Sequence, residues 1–218
     1  MYILYGGRLT RTVGPQMVLH EGDLAYELRE IDIMRDEHRR PEFLAINPAG
    51  YVPALVTPEG QVLHEAAAIM LYLADRHRLD DLAPASDAPE RGMFYSKLFF
   101  LTNDVQPAMK RYYFPHRYST DDADTPRIKA RALDMAKERW AVVDGHLAAH
   151  GPYHLGARFS LVDLYMAMWA ALGFEPPETL LPQFPAVRRC YDLVAARPKI
   201  AALLKETESI VEDFVTAR

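Results

Sequence analysis

The stretch Asn47–Ile69, NPAGYVPALVTPEGQVLHEAAAI, holds the residues best placed to grip a ligand by its main chain. Val52-Pro53-Ala54-Leu55-Val56 is apolar and β-prone, yet Pro53 cannot donate to a sheet ladder. That predicts a sheet edge or a cis bond at Val52–Pro53. A proline kept out of the ladder leaves the backbone N–H and C=O of Val52 free for an outside partner. Glu65 followed by Ala66-Ala67-Ala68 reads as the start of a helix, and a helix N-terminus offers its unsatisfied N–H groups to an anion. Together these features describe a slot for the main chain and carboxylate of a small peptide. Other chemistry is poorly supported. His146 and His150 stand four apart on a helix but bring no third ligand and no H-E-x-x-H pattern, so no metal is expected. Gly6-Gly7 lacks the other elements of a phosphate loop.

The elements that must position this slot follow from turn chemistry and periodicity. Met1–Tyr5 is a short apolar strand stopped by Gly6-Gly7. A helix is predicted over Gly14–His20, with Pro15 in its first turn and Gly22 after its end. Ala25–Ile33 alternates as a strand, with some irregularity, and Pro41–Ala45 forms a helical turn. Asn47-Pro48-Ala49-Gly50 is a turn, and Pro58-Glu59-Gly60 joins Leu55-Val56 to Val62-Leu63 as a hairpin. The helix from Glu65 runs to about Arg76. Strand, helix, strand, helix, strand, strand, helix reads as one small α/β sheet domain.

Leu79–Pro89 is acidic, proline-containing and aperiodic, which marks a linker. Beyond it the pattern is helical throughout: Glu90–Tyr113, interrupted at Pro107; Arg127–His150; Leu161–Leu172, apolar nearly all round and so the buried centre of a bundle; Phe184–Ala196; and Pro198–Val215. Pro176-Pro177 breaks the chain before the last two. Ser160 with Asp163 three residues on makes an Asp version of the capping box, and Phe159 with Leu164 is placed to form the hydrophobic staple beside it.

The 218 residues are half hydrophobic and one quarter charged, ordinary for a globular protein. A net charge of −5 supplies no basic field for nucleic acid. No apolar run is long enough to span a membrane. The N-terminus is too short and uncharged for a signal peptide. A single cysteine, Cys190, excludes an internal disulfide and fits a reducing cytosol, so a cytoplasmic location is expected.

The V-P-A-L segment with an acidic residue at the next helix start, and the S-x-x-D opening of the buried helix, resemble the glutathione transferases in register along the whole chain. The resemblance implies a thioredoxin-like βαβαββα domain over about 1–80 and an all-helical bundle over about 90–218. It implies transfer of the glutathione thiolate to a small apolar electrophile, glutathione as cosubstrate without a metal, and a homodimer. A catalytically weak glutathione-binding or regulatory protein on the same scaffold is the alternative.

Glutathione transfer needs a thiolate, and a free thiol is only a few per cent ionised at neutral pH. The family places a hydroxyl or thiol donor in the loop after the first strand, here Gly6–Thr12. The position of its serine falls on Leu9, so the resemblance implies Thr10, one step away, as the hydroxyl at the sulfur. Thr12, which would otherwise cap the helix, and Tyr5, read as a core strand residue, are its rivals. Arg8 and Arg11 would add positive potential that favours a thiolate.

For the peptide, the resemblance implies main-chain bonds from Val52 beside Pro53. It implies Glu65 at the γ-glutamyl end, with Ala66 where serine is usual, and His38 at the glycyl carboxylate. Tyr51 stands where lysine or glutamine is common. The second substrate is expected between the domains, against Asn103, Gln106, Met109, Lys110, Tyr112, Tyr113 and His116, with Trp169. No cysteine lies near the loop, which disfavours a thiol reductase and the isomerase class with an S-S-C-S loop.

Overall fold

The computed structural model describes residues 1–173 and 181–216. The expected break at Pro176-Pro177 lies outside them. The first half is a four-stranded mixed sheet with helices. β1 (Tyr2–Gly6) leads through α1 (Val13–Glu21) to β2 (Tyr26–Glu30), and a loop with the short helix α2 (Pro41–Leu44) leads to β3 (Ala54–Val56). β4 (Val62–His64) and α3 (Ala66–Arg76) complete it. The strand order is β2-β1-β3-β4; β1 runs parallel to β2 and antiparallel to β3. The βαβ crossover makes the first pair parallel, and the Thr57–Gln61 turn makes the last antiparallel.

The second half is helical: α4 (Arg91–Phe100), α5 (Gln106–Tyr113), α6 (Thr125–His150), α7 (Leu161–Ala171), α8 (Pro185–Ala195) and α9 (Ala201–Thr216). Every residue of α7 is buried, as its all-round apolar sequence requires. The capping box forms in full. The Ser160 Oγ accepts from Val162 N–H, and Asp163 Oδ2 accepts from Ser160 N–H at 2.8 Å. Asp163 does more than cap. Its other oxygen accepts from His154 N–H (2.9 Å), His154 Nδ1 (2.8 Å) and the Cys190 thiol (3.6 Å). One carboxylate thus fastens the start of α7 to the preceding loop and to α8.

The two halves share one continuous core, in which α1 and α3 meet α7. The linker is fastened as well. Leu161 N–H donates to Leu82 C=O at 2.7 Å, and Arg91, nearly buried, bonds both oxygens of Asp75 on α3. Arg197 clasps Glu21 at the end of α1 through two hydrogen bonds of 2.7 and 2.8 Å. The relative placement of sheet and bundle is therefore set by buried contacts and paired charges.

Three local expectations are corrected. β2 ends at Glu30 rather than Ile33, because Asp32 caps a following 3-10 turn by accepting from Met34 N–H, which turns the chain off the sheet. The break between α4 and α5 comes before Pro107, in a π turn at Leu101–Val105 where Gln106 N–H reaches Leu101 C=O. Widening the turn there accommodates a proline that cannot donate within the ladder. Tyr5 lies half-buried on the outer face of the sheet, packed on Phe43 with its hydroxyl bonded to Arg29, rather than in the main core.

Candidate functional site

A cavity of about 600 Å³ opens between the two halves. Its sheet-side wall is the loop after β1, the turns after β2 and the segment before β3. Its helical wall is the end of α5, the turn at Pro115–Arg117, the C-terminal half of α7 and the end of α9.

Val52 sits in the sheet-side wall. The β1–β3 ladder begins at Ala54, so Val52 stays outside it, and the Val52–Pro53 peptide bond is cis. Among the described residues, neither the N–H nor the C=O of Val52 has a hydrogen-bond partner. The preceding turn is held by Asn47, whose side chain donates to Tyr51 C=O (2.6 Å) and accepts from Ala49 N–H. Gly50 supplies the positive φ (62°) that this turn needs, and a Cβ there would meet His38 C=O and Arg39. Pro53 is buried behind Val52.

Glu65 precedes α3 with φ 68° and ψ 119°, a conformation non-glycine residues rarely adopt and one that concentrates at functional sites. It directs an exposed carboxylate to Arg11, whose side chain is 9% exposed, at 3.1 Å. The same Arg11 nitrogen lies 3.3 Å from Gln106 Oε1, which also accepts from the Tyr165 hydroxyl at 2.6 Å. Arg11 therefore ties the loop after β1 to α3, α5 and α7 at once. Ala66 is fully buried as the first residue of α3.

The Thr10 hydroxyl faces its own loop. It donates to Gly7 C=O at 2.6 Å, lies 2.6 Å from Thr12 Oγ1, and accepts from Thr12 N–H at 3.3 Å. A hydroxyl has one proton to give, and the Gly7 carbonyl and the Thr12 hydroxyl both stand 2.6 Å from the Thr10 oxygen within the loop. Thr12 is buried against Gly6, where a Cβ would stand 1.8 Å from its Oγ1, and it makes no side-chain cap to α1. Of the four residues singled out in this loop, Thr10 and Arg11 border the cavity and Arg8 and Thr12 do not.

His38, expected in a loop, is nearly buried in the cavity wall with Nδ1 unpartnered. Burial, with Arg39 beside it, pushes its pKa below the usual histidine value. Tyr51 presents its ring to Arg39, Lys110 and Arg117, whose charged atoms lie 5.6, 5.2 and 5.5 Å from its centroid. Burial and the nearby Arg11 lower the Lys110 pKa.

Of the expected second-substrate residues, Lys110, Tyr113, His116 and Trp169 line the cavity, and Gln106 lies beneath it on Arg11. Asn103, Met109 and Tyr112 do not line it, which corrects that expectation. Asn103 is exposed in the π turn, Met109 is in the core, and Tyr112 packs under Lys129. Helical spacing explains the division: 106, 110 and 113 share one face of α5, while 109 and 112 lie on another. That signal was present in the sequence. Arg39, Phe114, Arg117, Leu172, Val211 and Phe214, which also line the cavity, carry no local signal that would have joined them to it.

Outside the cavity, His154, Asp163 and Cys190 bring three buried potential metal-ligating atoms within 4.8 Å of one another, an arrangement spread over too much sequence for spacing to reveal. Burial and Asp163 push the Cys190 thiol well above its usual pKa. His146, the candidate with His150, instead bonds His154 C=O at 2.9 Å. No described helix is long and apolar enough to cross a membrane.

Comparison with known proteins agrees with this architecture at both ends of the chain. Residues 13–76 match the glutathione S-transferase N-terminal domain, and residues 108–207 the C-terminal domain. Glutathione S-transferase 3 of Zea mays is 30% identical over 203 residues, covering 89% of each chain. The maleylacetoacetate isomerase of Pseudomonas aeruginosa is 29% identical over 91% of this chain and 92% of its own. Among solved structures, a sphingomonad glutathione S-transferase complexed with glutathione superposes with a TM-score of 0.80 at 29% identity, over 94% of this chain and 98% of that one. A glutathione transferase homologue from Sulfitobacter with bound glutathione gives 0.83 at 25%, with the same coverages. These relatives include both transferases and an isomerase. A sheet with a main-chain slot at Val52, a helical half whose buried helix α7 is capped by Ser160 and Asp163, and both family domains matched in order lead to one conclusion: the chain belongs to the glutathione transferase superfamily.

Proposed function

We propose that this protein is a glutathione transferase that joins the glutathione sulfur to an electrophilic carbon of a small organic substrate. In this reading residues 1–80 bind glutathione and residues 90–218 supply most of the second-substrate pocket. The observation that carries it is Val52. Its N–H and C=O have no hydrogen-bond partner among the described residues and stand at the cavity wall, where an extended peptide can pair with them antiparallel. Beside Pro53, Val52 holds the cysteinyl backbone. Glu65 takes the γ-glutamyl ammonium, and the N-terminus of α3, at Ala66, receives its carboxylate. The buried His38 and the Tyr51 edge receive the glycyl end. Because the Thr10 hydroxyl is already bonded within its own loop, thiolate stabilisation falls chiefly on the Arg11 guanidinium; Thr10 contributes only by leaving those bonds. A cytoplasmic homodimer that clears reactive electrophiles completes the proposal, and the exposed Met93, Tyr95 and Phe99 of α4 provide apolar surface for the partner.

The inward Thr10 hydroxyl and Leu9 at the serine position favour a second reading, a protein that binds glutathione but activates it weakly. Calorimetric titration with glutathione, followed by thiolate ultraviolet absorbance of the complex against pH, separates the two. The transferase reading expects binding, a bound thiol at least about one unit below the free value near 8.5, and turnover of activated halo-arenes. It also expects Arg11→Met to return the thiol toward the free value. Binding with an unshifted thiol and no turnover supports the second reading. An absence of glutathione binding refutes both.

A further inference from the structure

The electrophile was expected to be apolar, yet the helical wall of the cavity carries charge. Lys110 and Arg117 stand there beside Tyr113 and Phe114, and Arg39 faces them across the Tyr51 ring. None of the three cations has an ion-pair partner among the described residues, although the chain as a whole is acidic. Asp36 is the one described carboxylate on the cavity wall, and it lies on the sheet side. Arg11 is committed to Glu65. Lys110 is half-buried, and Arg117 and Arg11 oppose its charge, so the site holds like charges together in partial shelter from water. Such a cluster is relieved by a bound anion.

Glutathione does not use them all. In the glutathione reading above, its γ-glutamyl end is assigned to Glu65 and the start of α3, and its glycyl end to His38 and the Tyr51 edge. Lys110 and Arg117, on the opposite wall, remain. Next to them the cavity is lined by Trp169, Leu172 and Phe214. We infer that the second substrate is an amphiphilic organic anion, with an apolar or aromatic body in this apolar zone and a carboxylate or sulfonate held by Lys110 and Arg117. The inference rests on the glutathione reading above for its reaction, and on the cations alone for its anion selectivity.

The test uses two matched pairs. For turnover, the pair is chlorodinitrobenzoate and its methyl ester. In both, the glutathione sulfur forms a bond to the carbon bearing chlorine, chloride leaves with the bonding electrons, and the thiol proton passes to buffer. Each kcat/KM is divided by the uncatalysed rate constant of its substrate. The acid is expected to exceed the ester by about tenfold or more, the scale of one charge-assisted contact, and to lose that lead as salt rises. Lys110→Met and Arg117→Met should each cut the ratio about tenfold while leaving the glutathione Kd within about twofold, and Lys110→Arg should retain it.

For binding without glutathione, the pair is anilinonaphthalenesulfonate and phenylnaphthylamine, its counterpart lacking the sulfonate. The wild type should favour the sulfonate, and Lys110→Met should remove that preference. An acid-to-ester ratio near one, or variants that weaken glutathione binding instead of changing the ratio, would overturn the inference. Should the protein fail to bind or use glutathione, the earlier reading falls; the sulfonate pair then supports or refutes anion selectivity alone.

Discussion

Replacing Glu65 by glutamine separates a ligand-holding role from a structural one. In the free protein the Arg11–Glu65 contact is 3.1 Å long, but the glutamate side chain is 63% exposed. An ion pair wetted on one side contributes roughly 0.2–1 kcal/mol. Glu65→Gln keeps an acceptor for the buried Arg11, and Gln106 Oε1 remains at 3.3 Å. For a chain of this length about 1 kcal/mol moves Tm by about 2–4 °C, so the variant should melt within about 4 °C of the wild type.

Glutathione binding should respond more strongly. A hydrogen bond from an ammonium to a carboxylate is worth about 1.5–3 kcal/mol, or roughly tenfold to more than a hundredfold in Kd. The freed Arg11 would attract the γ-glutamyl carboxylate more strongly and offset part of that loss, which leaves about tenfold to thirtyfold. Calorimetry gives Kd and a thermal scan gives Tm on the same sample. A Kd within about threefold of wild type together with a Tm drop above about 5 °C would refute the assignment and make Glu65 a helix-start residue only.

Asp163→Asn should destabilise by about 3 kcal/mol, because the two carboxylate oxygens serve Ser160, His154 and Cys190 and an amide leaves at least two buried donors facing an NH2 group. A loss under about 1 kcal/mol in denaturant unfolding contradicts the network described. Burial lowers the His38 pKa in the folded protein, so the unfolded chain binds more protons below about 6.5 and stability falls as pH falls through that window. His38→Gln should flatten the Tm-against-pH curve there; an unchanged slope assigns it to His146, which burial also lowers. If His38 meets the glycyl carboxylate, glutathione raises its pKa. Affinity should then tighten from about pH 7 to about pH 5 in the wild type and not in the variant.

The order of elements needed no coordinates. Turn residues at Asn47–Gly50 and Pro58–Gly60, the Ser160–Asp163 cap and the apolar α7 are local signals, and the elements formed in the order they indicate. The helical face of α5 was equally readable, since residues 106, 110 and 113 recur at its period, although it was the long-range fold that showed which face meets the cavity. What the tertiary structure alone decided are properties of atoms brought together from distant segments. Arg11 meets Glu65, Gln106 and Tyr165 because sheet and bundle share a core. Lys110 and Arg117 become a charged wall only because α5 and the following turn are laid across Tyr51. A sequence fixes backbone preference over a few residues, but the field and hydrogen-bond state of a group depend on neighbours that only packing supplies.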